Sequence, residues 1–152
     1  MLKNQEGGVY LNKNIMKKIK MIGYWSGFGE PEDYPNPQLL VRNDWDTKQK
    51  LKIVEYLKKG HMYRGFWDYA NCRFDDNRPF EDMGSREFTD GEYVWPEGLS
   101  VYVDEYNVGL PISFINHMIN HNFIIPENIN NKELEVDLTF WKNWSSEQAK
   151  HN

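Results

Sequence analysis

The chain has 152 residues, a length that matches one domain with a hydrophobic core of its own. Aromatic residues make up 15% of it, which excludes a disordered polar chain because disorder goes with few aromatic side chains. The net charge is −5, and residues 1–20 carry five lysines and one glutamate, so the remaining chain is strongly acidic and ill suited to nucleic-acid phosphates or anionic membranes.

A single cysteine, Cys72, bounds the redox chemistry of the chain. One cysteine can form neither an internal disulfide nor a thiolate metal cage, which suits a reducing compartment. No apolar run reaches the roughly 20 residues of a membrane span, and a secretory signal is not expected. We therefore expect a cytoplasmic protein without membrane association. Cys72 lies in an aromatic stretch without an adjacent base, which predicts an inert core residue rather than a nucleophile.

The composition divides the chain into three parts. Residues 1–20 are polar, rich in Asn and Lys and weakly patterned, which predicts a weakly ordered tail. Dense aromatic patterning starts at Met21, so a single domain is predicted over residues 21–145. Residues 146–152 are expected to fray.

The first helix is predicted after a loop rich in proline. Three prolines between residues 26 and 43 predict an ordered loop, because proline lacks a backbone donor and restricts the residue before it. From Thr47 to Lys59, the apolar residues Leu51, Val54 and Leu57 recur at helical spacing. This spacing predicts a helix with lysines on its other face.

The next segments favour strands. Residues 61–74 are aromatic without helical order, which predicts one or two strands. Residues 86–95 form the clearest hairpin pattern, because Asp90-Gly91 supplies the positive backbone angles of a tight turn. We predict that Trp95, which follows this turn, is largely buried.

Two prolines mark further helix starts. After Pro96, apolar residues repeat at intervals of three and four. After Pro111, the side chains of Ile112, Ile115 and Ile119 share one face of a predicted third helix.

Near the C-terminus, apolar and polar residues alternate from residue 134 to residue 141, which predicts a half-buried strand. Together these elements predict a single compact α+β domain with a small antiparallel or mixed sheet and about three helices.

Two histidines on the third helix raise the question of a metal site. His117 and His121 stand four residues apart, a spacing that can bind zinc. A catalytic site needs a third ligand and usually a nearby glutamate, and neither is evident in the pattern H-M-I-N-H. Both histidines lie opposite the isoleucine face, so we predict that they are exposed to solvent and that no metal binds.

Carboxylates cluster around the hairpin and the helix that follows it. Two carboxylates flanking a sugar can carry out glycoside hydrolysis, and aromatic side chains such as Trp67 could stack on the sugar. The turn accounts for Asp90, however, and the start of a helix accounts for Glu97. A small hydrolase or carbohydrate-acting enzyme is therefore the alternative function. No cofactor is expected, since no glycine-rich phosphate loop is present.

The segment Gly84–Pro111 resembles a family of small, uncharacterised bacterial proteins. Its members combine a G-S-x-E-x-T-D-G hairpin with a W-P-E-G-L turn into a helix. The resemblance extends to the proline-rich stretch near residues 21–41, and it implies a bacterial source and little about mechanism. Relatives often carry C-R-x-C-G where this chain has Cys72-Arg73-Phe74-Asp75, so any metal or catalytic role of that motif would be lost here.

The acidic body and the abundance of aromatic residues favour a non-catalytic protein-binding domain. Its expected partner is a basic protein, by analogy with small bacterial immunity or antidote proteins that occlude a basic toxin. The predicted binding surface combines carboxylates with aromatics on the hairpin and the second helix: Glu87, Glu92, Tyr93, Glu97, Tyr102, Asp104 and Glu105.

Overall fold

Five strands form one mixed sheet at the centre of the fold. The computed structural model describes residues 15–66 and 68–151, and the bounds below refer to that part of the chain. The strands are β1 (Lys17–Met21), β2 (His61–Gly65), β3 (Arg86–Thr89), β4 (Tyr93–Pro96) and β5 (Leu134–Asp137). The helices are α1 (Thr47–Lys58), α2 (Phe80–Met83), α3 (Leu99–Tyr106), α4 (Ile112–Asn120) and α5 (Thr139–His151). Short 3-10 turns cover Pro37–Leu40 and Asn131–Glu133.

The strand order is β2-β3-β4-β1-β5. Strands β2, β3 and β4 form an antiparallel meander, whereas β1 runs parallel to both of its neighbours, β4 and β5. The predicted α+β class with a mixed sheet is confirmed. The described residues contain five helices rather than about three. The three predicted helices are α1, α3 and α4; the two additional ones are α2, a single turn inside a polar loop, and α5, which follows β5.

Strand β1 moves the start of the domain into the predicted tail. It begins at Lys17 and pairs with two strands, so a boundary at Met21 is too late. The exposed Lys18 and Lys20 alternate with the buried Ile19 and Met21, as the period of two in a strand requires. The three lysines of β1 make its composition resemble that of a polar tail, which is why the sequence pattern did not reveal the strand. The prediction for residues 1–14 lies outside the described residues.

The hairpin of β3 and β4 is as predicted. The backbone N–H of Asp90 donates to the carbonyl of Tyr93, and Gly91 has a φ of 90°. Trp95 is fully buried, stacks on Tyr56 of α1 and donates from its indole nitrogen to the carbonyl of Leu57 at 3.0 Å. The hairpin and the predicted helix α1 therefore share one core.

Helix α4, the predicted third helix, buries a different face from the one that the spacing of its isoleucines predicted. Ile112 and Ile119 are exposed, Ile112 by 67%, while Phe114, Ile115 and Met118 are buried. The larger Phe114 packs against the aromatic rings of the hairpin and α1 and so decides which face is buried. Apolar spacing alone could not distinguish two overlapping faces.

The predicted strand over residues 134–141 is only half correct. Strand β5 ends at Asp137, whose carboxylate accepts a hydrogen bond from the backbone N–H of Thr139 at the start of α5. Trp141 is fully buried and donates to the carbonyl of Tyr24 at 2.6 Å. The segment 146–152, predicted to fray, is helical as far as His151.

The sheet curls so that its outer strands, β2 and β5, approach each other. Asn131, just before β5, donates from its side chain to the carbonyls of Met62 and Tyr63 at 3.0 and 3.1 Å. The hydroxyl of Tyr63 donates to the carbonyl of Leu134 at 3.3 Å. Side chains thus occupy part of the exposed edge of β2, which reduces the risk of pairing with another chain.

Candidate functional site

A cavity of about 450 Å³, the first cavity, lies where the parallel strands end. Its lining includes Gly23, Glu97 and Leu138, which follow β1, β4 and β5. The carboxyl ends of parallel strands meet at one edge of a sheet, and ligands in open sheets of this kind commonly bind there. The cavity size is within the usual range for small-molecule sites.

A buried carboxylate, Glu87, forms the inner wall of this cavity. Its side chain is 1% exposed and accepts hydrogen bonds from the hydroxyl of Tyr24 and from Nε of Arg64. Burial, together with the charge of Glu87, holds the pKa of Tyr24 far above its usual value, so the hydroxyl stays protonated. Burial lowers the pKa of Arg64, but its hydrogen bond and ion pair with Glu87 outweigh that effect and raise it. The three side chains form one hydrogen-bonded group.

A second carboxylate, Glu97, directly follows β4 and lines the same cavity. Arg86 donates to it from Nη2 at 2.8 Å, and the backbone N–H groups of Ser85 and Arg86 donate at 3.2 Å. The hydrogen bond from Arg86 is the main reason that the pKa of Glu97 lies below its usual range. Gly84 has a φ of 72°, and a Cβ there would lie 2.3 Å from Glu97, so only glycine permits this approach.

Two loops border the first cavity, and we call residues 27–36 and 68–82 the rim loops. Arg73 joins them, because its guanidinium donates to backbone carbonyls in both segments and at their ends: Trp25, Ser26, Gly27 and Asn71. Phe28 and Tyr69 stand on the rim loops and are 62% and 49% exposed. The rim loops therefore present aromatic side chains around the cavity.

A separate polar cluster centres on Asp90 at the other end of the hairpin. This side chain is buried and accepts from the backbone N–H groups of Glu92 and Tyr93, both at 2.8 Å. It also accepts from the hydroxyl of Tyr56 at 2.5 Å and contacts Nε2 of His117 at 2.9 Å. Burial raises the pKa of Asp90, but the hydrogen bonds from His117 and Tyr56 outweigh it and hold the pKa below its usual value.

The two histidines of α4 differ in their surroundings. The prediction that both face solvent is wrong for His117, whose side chain is 14% exposed and contacts Asp90. The ring of His121 lies 4.4 Å from that of His117, and both line a second cavity of about 260 Å³. Within residues 15–66 and 68–151, no group of three or more His, Cys, Asp or Glu side chains is arranged to hold a metal ion.

The seven residues predicted to form the binding surface lie in different environments. Glu87, Tyr93 and Tyr102 are buried. Three others pair with basic side chains: Glu92 with Lys17, Glu97 with Arg86, and Glu105 with Arg78. Asp104 is exposed. Glu87, Glu97 and Tyr102 line the first cavity, and Glu92 lines the second.

Sequence reasoning missed Tyr24, Arg64 and the rim loops. Tyr24 belongs to the aromatic start of the domain, and Arg64 lies in the aromatic segment predicted as strands. The available signal was the density of aromatic and acidic residues in the two rim loops, which precede the hairpin in the sequence. That signal could not reveal that these distant segments border one cavity.

Comparisons with known protein families, with curated proteins and with solved structures give no match to this chain. The resemblance based on Gly84–Pro111 therefore stays a prediction. In the described part of the chain, no helix combines the length and apolar character needed to cross a membrane.

Proposed function

We propose that the protein is a non-catalytic binding domain, of the immunity or antidote type, and that the rim loops receive a basic protein partner. The observation that carries this proposal is the charge of the rim loops. Together they contain eight Asp and Glu residues and two arginines, Arg73 and Arg78. Such a concentration of one charge raises the rate of encounter with a partner of opposite charge.

Both arginines of the rim loops are engaged inside the molecule. Arg73 donates to backbone carbonyls, and Arg78 pairs with Asp82 and Glu105. Most of the rim-loop carboxylates, in contrast, form no ion pair within the described residues: Glu30, Glu32, Asp68, Asp75, Asp76 and Glu81. Their charge is thus available to a partner.

Exposed aromatic residues supply the contact that follows encounter. Phe28, Tyr69 and Phe80 all stand on the rim loops, and each is about half exposed or more. Large rings bury much apolar area at low entropic cost and dominate many protein interfaces. The rim loops thus combine long-range attraction with residues suited to hold a partner.

The alternative of a glycoside hydrolase has less support. Such an enzyme needs one protonated carboxyl group as general acid, usually with a raised pKa. Arg86 lowers the pKa of Glu97. Glu87 is already bonded to Tyr24 and Arg64. Glu87 and Glu97 are therefore both committed to internal partners.

The test compares two variants with equal change in charge. The partner is first identified by affinity capture, and its dissociation constant is then measured by titration. The rim variant carries Glu30→Gln, Glu32→Gln and Asp68→Asn. The control variant carries Glu127→Gln, Glu135→Gln and Glu147→Gln, which are exposed positions outside the rim loops.

We expect the rim variant to bind about tenfold more weakly and with a shallower dependence on salt, and the control to lose about threefold or less. Equal weakening of the two variants would mean that net charge alone drives binding. Loss of a measured hydrolytic activity on replacing Glu87 or Glu97, with no partner found, would favour the enzyme instead.

A further inference from the structure

The interior of the first cavity has chemistry of its own, distinct from that of the rim loops. Its two buried or half-buried carboxylates are each paired with an arginine, Glu87 with Arg64 and Glu97 with Arg86. Each pair is neutral overall. An anionic ligand would therefore compete with Glu87 and Glu97 for these arginines, and Glu30 and Asp68, which also line the cavity, would repel it.

The ion pairs nevertheless keep capacity for hydrogen bonds. Within the described residues, Arg64 donates only from Nε, so its two amino groups can donate to a ligand. The Tyr24 hydroxyl uses its hydrogen on Glu87, and its oxygen can still accept. Donors and acceptors thus lie side by side, an arrangement that matches hydroxyl groups, because each of these both donates and accepts.

Aromatic side chains form part of the remaining walls. Trp25 lines the cavity and is buried, and its indole N–H has no partner among the described residues. A buried donor without an acceptor is unfavourable, so a ligand oxygen reaching it would be stabilising. Phe28, Phe66 and Tyr69 also line the cavity and expose large parts of their rings. Flat apolar faces of this kind suit the C–H face of a sugar ring.

We propose that the first cavity binds an uncharged, polyhydroxylated ligand of the size of a mono- or disaccharide. Tyr24 and Arg64 would contact its hydroxyl groups, and the aromatic walls would pack against its ring. The cavity volume of about 450 Å³ is sufficient for a ligand of this size. The polar contacts of this site, Tyr24 and Arg64, lie on the inner wall, whereas Phe28 and Tyr69 are shared with the rim loops. The titrations below use the protein alone, so their outcome does not depend on the proposed protein partner.

Isothermal titration calorimetry with D-glucose, N-acetyl-D-glucosamine and maltose measures the affinity for neutral sugars, and the change in tryptophan fluorescence on titration is a second readout. D-Glucuronate is the anionic counterpart of D-glucose. We expect at least one neutral sugar to bind and D-glucuronate to bind about tenfold more weakly. Binding of no neutral sugar, or tighter binding of D-glucuronate, would overturn the proposal.

Two variants locate the site. Tyr24→Phe removes one hydroxyl from the cavity wall, and we expect it to weaken sugar binding about fivefold. The matched control, Tyr63→Phe, removes a hydroxyl that contacts Leu134 outside the cavity, and binding should stay within about twofold. Phe66→Ala alters an exposed ring and should weaken binding without affecting folding. Unchanged affinity in both Tyr24→Phe and Phe66→Ala would contradict the site.

Discussion

At the scale of single residues, Asp90 carries several structural roles at once. Its carboxylate holds the β3–β4 turn through two backbone N–H groups, and it joins Tyr56 of α1 to His117 of α4. A charged acceptor in a buried site forms hydrogen bonds stronger than those of neutral groups. One side chain therefore fixes the position of two helices relative to the hairpin.

We predict that Asp90→Asn lowers the free energy of unfolding by about 2 kcal/mol at neutral pH, because charge-assisted hydrogen bonds are lost. The folded-state pKa of Asp90 is lowered, whereas an unfolded aspartate has a pKa of about 3.9. Its contribution is therefore complete above the unfolded pKa and is lost as pH falls through the folded pKa. Urea unfolding at about pH 7 and pH 3 should give a smaller difference between the two proteins at the lower pH.

Asp104→Asn is the control for this experiment. Asp104 is exposed on α3, and we expect its replacement to change the free energy of unfolding by about 0.5 kcal/mol or less. A loss for Asp90→Asn that is as small as that of Asp104→Asn, or that does not depend on pH, would contradict the stated role of Asp90.

At the scale of elements, the β3–β4 hairpin depends on backbone conformation at its turn. Gly91 has a φ of 90°, and a Cβ at this position would meet Ile129 at an ordinary contact distance of 3.8 Å. Space is therefore not the constraint, and any cost of a side chain there comes from the backbone. A β-branched residue is especially disfavoured at positive φ.

We predict that Gly91→Val lowers the free energy of unfolding by about 1–3 kcal/mol through this backbone strain. Gly65→Val is the matched control, since Gly65 ends strand β2 and has no positive φ, and its Cβ would approach Met62 only to 3.7 Å. Valine suits a strand, so the control should change stability by about 0.5 kcal/mol or less. Equal melting temperatures for the two variants would exclude strain at the turn.

At the scale of the whole molecule, β1 connects two parts of the sheet. It lies between the meander β2-β3-β4 and the edge strand β5, and it pairs with β5 from Lys17 to Lys20. Its Ile19 is fully buried. Without β1, strand β5 would lose its only partner strand in the described residues, and the core would lose a central side chain.

We therefore predict that a chain lacking residues 1–20 loses its cooperative thermal transition, since it lacks most of β1. A chain lacking only residues 1–14 keeps every described contact of β1 and should melt as the full chain does. Circular dichroism during heating compares the three proteins. If the chain lacking residues 1–20 unfolds cooperatively at the melting temperature of the full chain, β1 contributes little to stability.

The sequence by itself determined the elements that depend on local chemistry. Asp90-Gly91 specified the β3–β4 turn, because glycine adopts the positive φ found at Gly91 without strain and the aspartate side chain accepts hydrogen bonds from the backbone N–H groups that follow it. The spacing of apolar residues from Thr47 to Lys58 specified α1, because helix periodicity acts within a few residues. The α+β class followed from the mixture of such local elements.

Only the tertiary structure decided which residues face each other. The burial of Glu87 depends on Tyr24 and Arg64, which lie 63 and 23 residues away along the chain. The orientation of His117 depends on Asp90 in the hairpin. Contacts of this kind bring distant segments together, and the free energy of burying a carboxylate or a histidine is set by the partners that folding supplies. Local patterns do not contain that information, so the sequence located the acidic hairpin but not the cavity that it lines.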